Sequence, residues 1–183
     1  MAGTQTFAMP GAVFCRGETV ELRTIEEDDL EFLRDSINHP DVRVPVGNHT
    51  PHNLDSQADW LENVAVCDDE VNMLVCADGE AVGVVTIAEI QERHGTAELG
   101  YFVHPDFHRQ GYGTDAARTM VDYAFRERRF RSLMARVFDF NEASAKVLET
   151  IGFEQTGTWP DWVFVDGESH DVRLYTTTAD DWL

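Results

Sequence analysis

A chain of 183 residues with 14 basic and 34 acidic side chains, net charge −20, is long enough to bury one domain core. It is also too acidic to seek a nucleic acid, whose phosphates need basic surface. No run approaches the ~18 apolar residues of a membrane-spanning helix, so no membrane partner is expected. The three cysteines, Cys15, Cys67 and Cys76, are odd in number and lack C-x-x-C spacing, which argues against a disulfide framework or a zinc site. A reducing cytoplasm is the simplest compartment.

Residues 1–17 have no basic n-region and only a broken apolar run, and are expected as an N-terminal arm ahead of a domain over 18–183. Residues 19–24 alternate like a strand. A helix follows over 26–37, with acidic residues in its first turn and Leu30, Leu33 and Ile37 on one face, closed by His39-Pro40. A second amphipathic helix is expected over 53–66, with Leu54, Ala58, Leu61 and Ala65 inward. Strands are expected over 71–77, 81–90 and 96–103, the first two joined by Asp78-Gly79, a hairpin signal. Then come a helix over 114–129, a strand over 132–138 and a helix over 141–151 with Asn141 as N-cap. Strands over 153–158 and 170–177 flank the turn Asp166-Gly167. The order implies a mixed α/β sheet, with 102–133 forming a right-handed crossover between neighbouring strands.

The most informative stretch is His108-Arg109-Gln110-Gly111-Tyr112-Gly113-Thr114-Asp115-Ala116-Ala117. Two glycines ahead of a helix let the main chain approach a ligand, and the helix start offers unpaired N–H groups to an anion. A tight turn before a helix would leave the same two glycines. The pattern also spells G-x-G-x-x-A, a dinucleotide fingerprint. That motif follows a strand directly, however, whereas here residues 104–110 separate strand from glycines. Such a loop suits an extended ligand arm lying along the strand end.

Charge is uneven. Between Arg109 and Arg136 seven arginines face three acidic residues, a basic island that suits a polyphosphate or simply complements the end of the helix. Every basic residue but Lys146 is arginine. Acid-rich, lysine-poor composition resembles that of halophilic proteins, with self-repulsion relieved by salt; a merely acidic protein would show the same count. Histidines 39, 49, 52 and 94 have no metal-like spacing, and no metal is expected.

Four blocks in order, TVELRTIEEDDLEFL, AELGYFVHPDFHRQGYGTDAA, NEASAKVLETIGFEQTG and VDGESHDVRLY, resemble the GNAT acetyltransferase superfamily, specifically its ribosomal-protein N-terminal (RimJ/RimL-type) branch, over about residues 18–178. The resemblance implies a GNAT fold, a mixed central sheet with splayed strands flanked by helices. It implies an enzyme that moves acetyl from acetyl-CoA to a primary amine, a protein N-terminus or a small amine, by direct attack in a ternary complex. The enzyme would be a monomer or homodimer. The alternative is a non-catalytic CoA-binding sensor or interaction module with a degenerate acceptor site.

In the family the glycine turn binds the pyrophosphate through backbone N–H groups, here those of Arg109, Gln110, Gly111, Tyr112, Gly113 and Thr114. His108 stands where the wider family favours Gln or Arg. Tyr101, Phe102 and Val103 would pair with the pantetheine arm and supply the oxyanion donor. Asn141 and Ser144 match the branch's N-x-x-S, Asn141 holding pantetheine and Ser144 protonating the departing thiolate. An N-cap and first-turn pair would look the same. Many relatives place a tyrosine acid seven residues after the Asn, where this chain has Leu148. Glu98 is the first candidate for general base, or else an outward-facing strand carboxylate. Trp159, Asp161 and Trp162, in a loop before the last strand, would form an acceptor wall or pack the hairpin. Asp171, in the closing block, is expected to be structural.

Overall fold

The structure, a computed structural model, describes residues 11–63 and 69–183. Eight strands form one sheet: β1 (Val13–Arg16), β2 (Glu21–Arg23), β3 (Val71–Ala77), β4 (Glu80–Gln91), β5 (Thr96–Val103), β6 (Ser132–Phe138), β7 (Glu154–Val165) and β8 (Glu168–Thr178). Their spatial order is β1-β2-β3-β4-β5-β6-β8-β7. Every neighbouring pair is antiparallel except β5 and β6, which are parallel and joined by a crossover through the long helix α4 (Tyr112–Arg126). This is the GNAT fold, a mixed sheet whose central strands splay.

Helices cover both faces. On one lie α4 and α5 (Glu142–Thr150), where Ala116, Ala117, Met120, Val121 and Ala124 meet Val75, Val85, Ile87, Leu99 and Leu133. The small residues at helical spacing let α4 sit close on the sheet. On the other, α1 (Leu30–Asn38) sets Leu33 against Leu74, Cys76 and Val84, with Trp60 of α3 (Leu54–Asn63) beside them. A short helix, α2 (Pro40–Arg43), starts at Pro40, a residue without an N–H to lose at a first helical position. The C-terminal α6 (Ala179–Trp182) follows β8.

Strands β3, β5 and β6 have the bounds expected from their sequence. Four expectations are corrected. Val13–Arg16, expected within the N-terminal arm, is an edge strand paired to β2. On α3, Gln57 is buried while Leu54 and Ala58 are exposed, because Trp60 carries the apolar contact; Ala65 lies outside the described residues, as does Cys67. The long helix begins at Tyr112 rather than 114 and ends at Arg126 rather than 129, with Arg129 at φ 59 breaking the helical path. The last two strands are longer than expected and take in 159–162. Residues 159–162 read as a loop, but the register slips between Trp159 and Val163, which absorbs Pro160 and Asp161 as a bulge within β7. Among the described residues no helix is long and apolar enough to cross a membrane.

Candidate active site

The site begins where the sheet opens. Strands β5 and β6 pair only at Thr96–Ser132, Ala97–Leu133 and Glu98–Met134. Beyond that rung β5 stays with β4 out to Val103, while β6 follows β8 out to Phe138, and their facing edges diverge. A cleft of about 560 Å³ lies along this opening. Tyr101, Phe102 and Val103 line one side, Asn141 at the cap of α5 with Ser144, Lys146 and Val147 of that helix another, and Asp41 and Val42 of α2 with Pro45 and Val46 just after it close the cleft. An open strand edge presents unpaired N–H and C=O groups, so an extended amide-bearing chain can pair there.

One end of the cleft is the glycine turn. After β5 the chain makes a 3-10 turn, Pro105–Phe107, and His108 Nε2 donates to the Val103 carbonyl at 2.8 Å. That bond ties the loop back to the strand end across only five residues, with no motif to signal it. Arg109 and Gly111 both take positive φ, 62° and 87°. Gly111 is the N-cap of α4, and the helix has no side-chain cap among the described residues. The N–H groups of Tyr112, Gly113 and Thr114 therefore lack helical partners and, with the helix dipole, favour an anion. A Cβ on Gly111 would meet nothing within 4 Å, and one on Gly113 only Val103 Cγ2 at 3.4 Å, so the missing atoms leave room on the cleft side. Arg109, Gly111, Tyr112, Gly113 and Thr114 all line the cleft; Gln110 does not.

Asp115, one residue further, is 7% exposed. Its carboxylate accepts from Glu18 N at 3.1 Å, Thr19 N at 2.6 Å, Thr19 Oγ1 at 2.9 Å and Val20 N at 3.0 Å. Burial alone would push this carboxyl up, but the donors from Thr19, Glu18 and Val20 outweigh it and hold it below the usual range. Asp115 thus pins the β1–β2 turn to the start of α4.

The other end is built by α5. Asn141 caps it, its Oδ1 accepting from Ser144 N at 3.2 Å. Ser144 Oγ stands 3.0 Å from the Tyr101 hydroxyl, which also lies 3.2 Å from the Ser144 carbonyl. Burial raises the Tyr101 phenol to about 12. Leu148 is fully buried in the core and is outside the residues lining the cleft. The Tyr101 side chain was missed in the sequence because its partner lies 43 residues away.

Glu98 sits on the last parallel rung, at the apex of the opening. Its Oε1 accepts from Arg136 Nε at 2.8 Å, its side chain is 14% exposed, and its Oε2 is buried with no partner among the described residues. It is outside the residues lining the cleft. Trp159, Asp161 and Trp162 are also outside that lining. They lie toward the splayed end of β6, since Val172 pairs with both Phe138 and Trp159. The two indole rings are 5.0 Å apart, with Trp162 63% exposed. Asp161 N donates to Asp171 Oδ1 at 2.9 Å, so Asp171 steadies the bulge.

The basic island does not assemble at the cleft. Arg126 pairs with Asp122, Arg128 with Glu92 and Arg136 with Glu98. A helix rises about 1.5 Å per residue, so the arginines after α4 lie about a helix length from the glycine turn. Of the seven only Arg109 lines the cleft, and Lys146 joins it from α5. Helix length scattered a cluster that looked compact in sequence.

Residues 19–154 match the family described as acetyltransferase (GNAT) domain. The chain belongs to that family and is an N-acetyltransferase. Among its relatives is the Bacillus subtilis protein named "Putative ribosomal N-acetyltransferase YdaF", 27% identical over 174 residues, 90% of this chain and 94% of that protein. Spermidine N(1)-acetyltransferase of Escherichia coli strain K12 is 26% identical over 151 residues, 82% of this chain and 81% of that one. The crystal structure of spermidine N-acetyltransferase from Vibrio cholerae in complex with CoA and spermine superposes with a TM-score of 0.85 at 20% identity, over 90% of this chain and 98% of that chain.

Proposed function

We propose that this enzyme transfers the acetyl group of acetyl-CoA to a primary amine by direct attack in a ternary complex, in the manner of the RimJ/RimL-type branch. The observation that carries the reading is a single cleft joining a backbone anion cradle at one end to a free strand edge and a paired serine hydroxyl at the other. Pyrophosphate fits the N–H groups around Gly111 and Gly113. The pantetheine amides fit the open edge of β5 and the Asn141 side chain. Backbone N–H groups near Tyr101–Val103 would serve the carbonyl oxygen as it gains charge. The gain in rate comes mainly from holding amine and thioester together.

Glu98 is the candidate to accept the amine proton through its unpartnered Oε2, with one water between if needed. Trp159, Asp161 and Trp162 are the candidate acceptor wall, Asp161 attracting a cation and the indoles packing on its stem. The acceptor is a protein N-terminus or a polyamine-like small amine; both kinds of name occur among the relatives. A salt-rich cytoplasm is the setting we infer from the charge.

One observation favours the second reading, a CoA-binding module without catalysis: Glu98 is held by Arg136 and lies off the cleft lining. Calorimetry with acetyl-CoA, followed by thiol release in a panel of spermidine and peptides with free α-amines at low and high potassium chloride, decides between them. Binding with turnover supports the enzyme, binding without turnover the module, and no binding refutes both.

A further inference from the structure

The family's tyrosine position is filled by Leu148, which is wholly buried and has no proton to give. A tyrosine hydroxyl nevertheless reaches the same helix from a different element. Tyr101 comes from β5, packs its ring on the core beside α4, and brings its Oη to 3.0 Å from Ser144 Oγ, with both residues on the cleft. We propose that Tyr101 is the positioning residue for Ser144, the two hydroxyls forming a relay in which the phenol replenishes the proton that serine gives to the departing sulfur. The inference rests on the acetyl-transfer reading above and assigns a side-chain role to a residue otherwise needed only for its backbone.

The geometry favours one direction of donation. The phenol has one proton and two acceptors in range, the Ser144 carbonyl at 3.2 Å and Ser144 Oγ at 3.0 Å. That carbonyl lies within α5, where the helical ladder already engages it. Donation to Oγ satisfies the phenol and leaves the serine's own proton free to turn into the cleft. The reverse arrangement would spend the serine proton on Tyr101. When the C–S bond of the tetrahedral adduct breaks, the Oγ–H bond breaks as the S–H bond forms, and Oγ takes the Tyr101 proton. The phenolate then regains the proton that the amine nitrogen loses after the C–N bond has formed, carried through the open cleft. One proton moves from nitrogen to sulfur overall and none is consumed. An aliphatic alcohol alone is a very weak acid. Even raised to about 12 by burial, the Tyr101 phenol lies much nearer the thiol range.

The test is a double-mutant cycle of Tyr101→Phe and Ser144→Ala, read as kcat and acetyl-CoA KM, with spermidine or a free-α-amine peptide, whichever the wild type acetylates. Tyr101→Phe should lower kcat about 10- to 100-fold, the loss of one hydrogen bond that counts only as charge develops, with KM for acetyl-CoA nearly unchanged. In the Ser144→Ala background the same change should cost less than about twofold, because a residue acting through Ser144 has nothing left to act on. Replacing Tyr101 by 3-fluorotyrosine, a more acidic phenol of nearly the same shape, should shift the alkaline limb of the kcat profile to lower pH. Multiplicative losses in the cycle, a KM effect, or an alkaline limb unmoved by fluorination would each overturn the relay. A wild type that binds acetyl-CoA but acetylates no amine would overturn the relay and the transferase reading together. An active wild type with an indifferent Tyr101→Phe variant removes the relay alone.

Discussion

Replacing Asp115 by alanine tests whether the start of the long helix is held by one buried carboxylate. Its oxygens accept four hydrogen bonds, from Glu18 N, Thr19 N, Thr19 Oγ1 and Val20 N. The losses are unequal. Thr19 Oγ1 can turn to water, and Glu18 and Thr19 are exposed residues whose N–H groups can rehydrate. Val20 is 2% exposed and its N–H would be stranded, at about 1–3 kcal/mol. Adding about 1 kcal/mol for each of the two exposed backbone bonds gives about 3–5 kcal/mol in all. For a domain of this size that is a fall of roughly 6–20 °C in melting temperature. Asp115→Asn keeps one carbonyl acceptor and should lose about half as much. Urea unfolding at neutral pH measures both.

The pH dependence supplies a sign. The folded carboxyl is held below its unfolded value, so its contribution is complete above the unfolded pKa and drains away as pH falls through the folded one. The gap between wild type and Asp115→Asn should therefore be constant at neutral pH and narrow in acid. A loss under 1 kcal/mol for Asp115→Ala, or a gap that widens in acid, would refute the clamp.

Gly113→Val should weaken acetyl-CoA binding at least about tenfold, since a branched side chain would fill space beside the N–H cradle; calorimetry reads it. His108→Ala should cost about threefold to tenfold in the same assay, because its bond to the Val103 carbonyl fixes the loop. Glu98→Gln should keep an acceptor for Arg136 yet flatten the acidic limb of the kcat/KM profile and slow turnover about 100-fold; an unchanged profile would move the base elsewhere. Melting temperature should climb between ~0.1 M and ~2 M potassium chloride as screening shortens the Debye length, and a flat curve would remove the halophile inference.

What could be read from the sequence was local. Strands 71–77, 96–103 and 132–138 stood out because apolar runs end at turn residues, and Asn141 because a cap precedes its helix. The glycine turn was legible for the same reason. What escaped depended on distance along the chain or on competition between side chains. Tyr101 and Ser144 are 43 residues apart, Glu98 and Arg136 are 38, and Asp115 reaches back 96 to Thr19. Val13–Arg16 is too short to show alternation and becomes a strand only because β2 lies beside it. On α3, Trp60 decides which way the helix faces, and a count of leucines and alanines misplaces that face.

The three rungs between β5 and β6 are a seam as well as a gap. One slab of sheet runs from β1 to β5 and another from β6 to β7, and apart from those rungs the two are bridged mainly by helix packing. A donor lying along the open edges would act as a detachable strut, sharing hydrogen bonds with backbone that otherwise meets water. Amides of residues 99–103 should then exchange with deuterium faster than those of β3 and β4 in the empty protein, and slow on binding. The enzyme would be stiffest at the moment its substrate is seated, and product release would loosen the same seam that catalysis had closed.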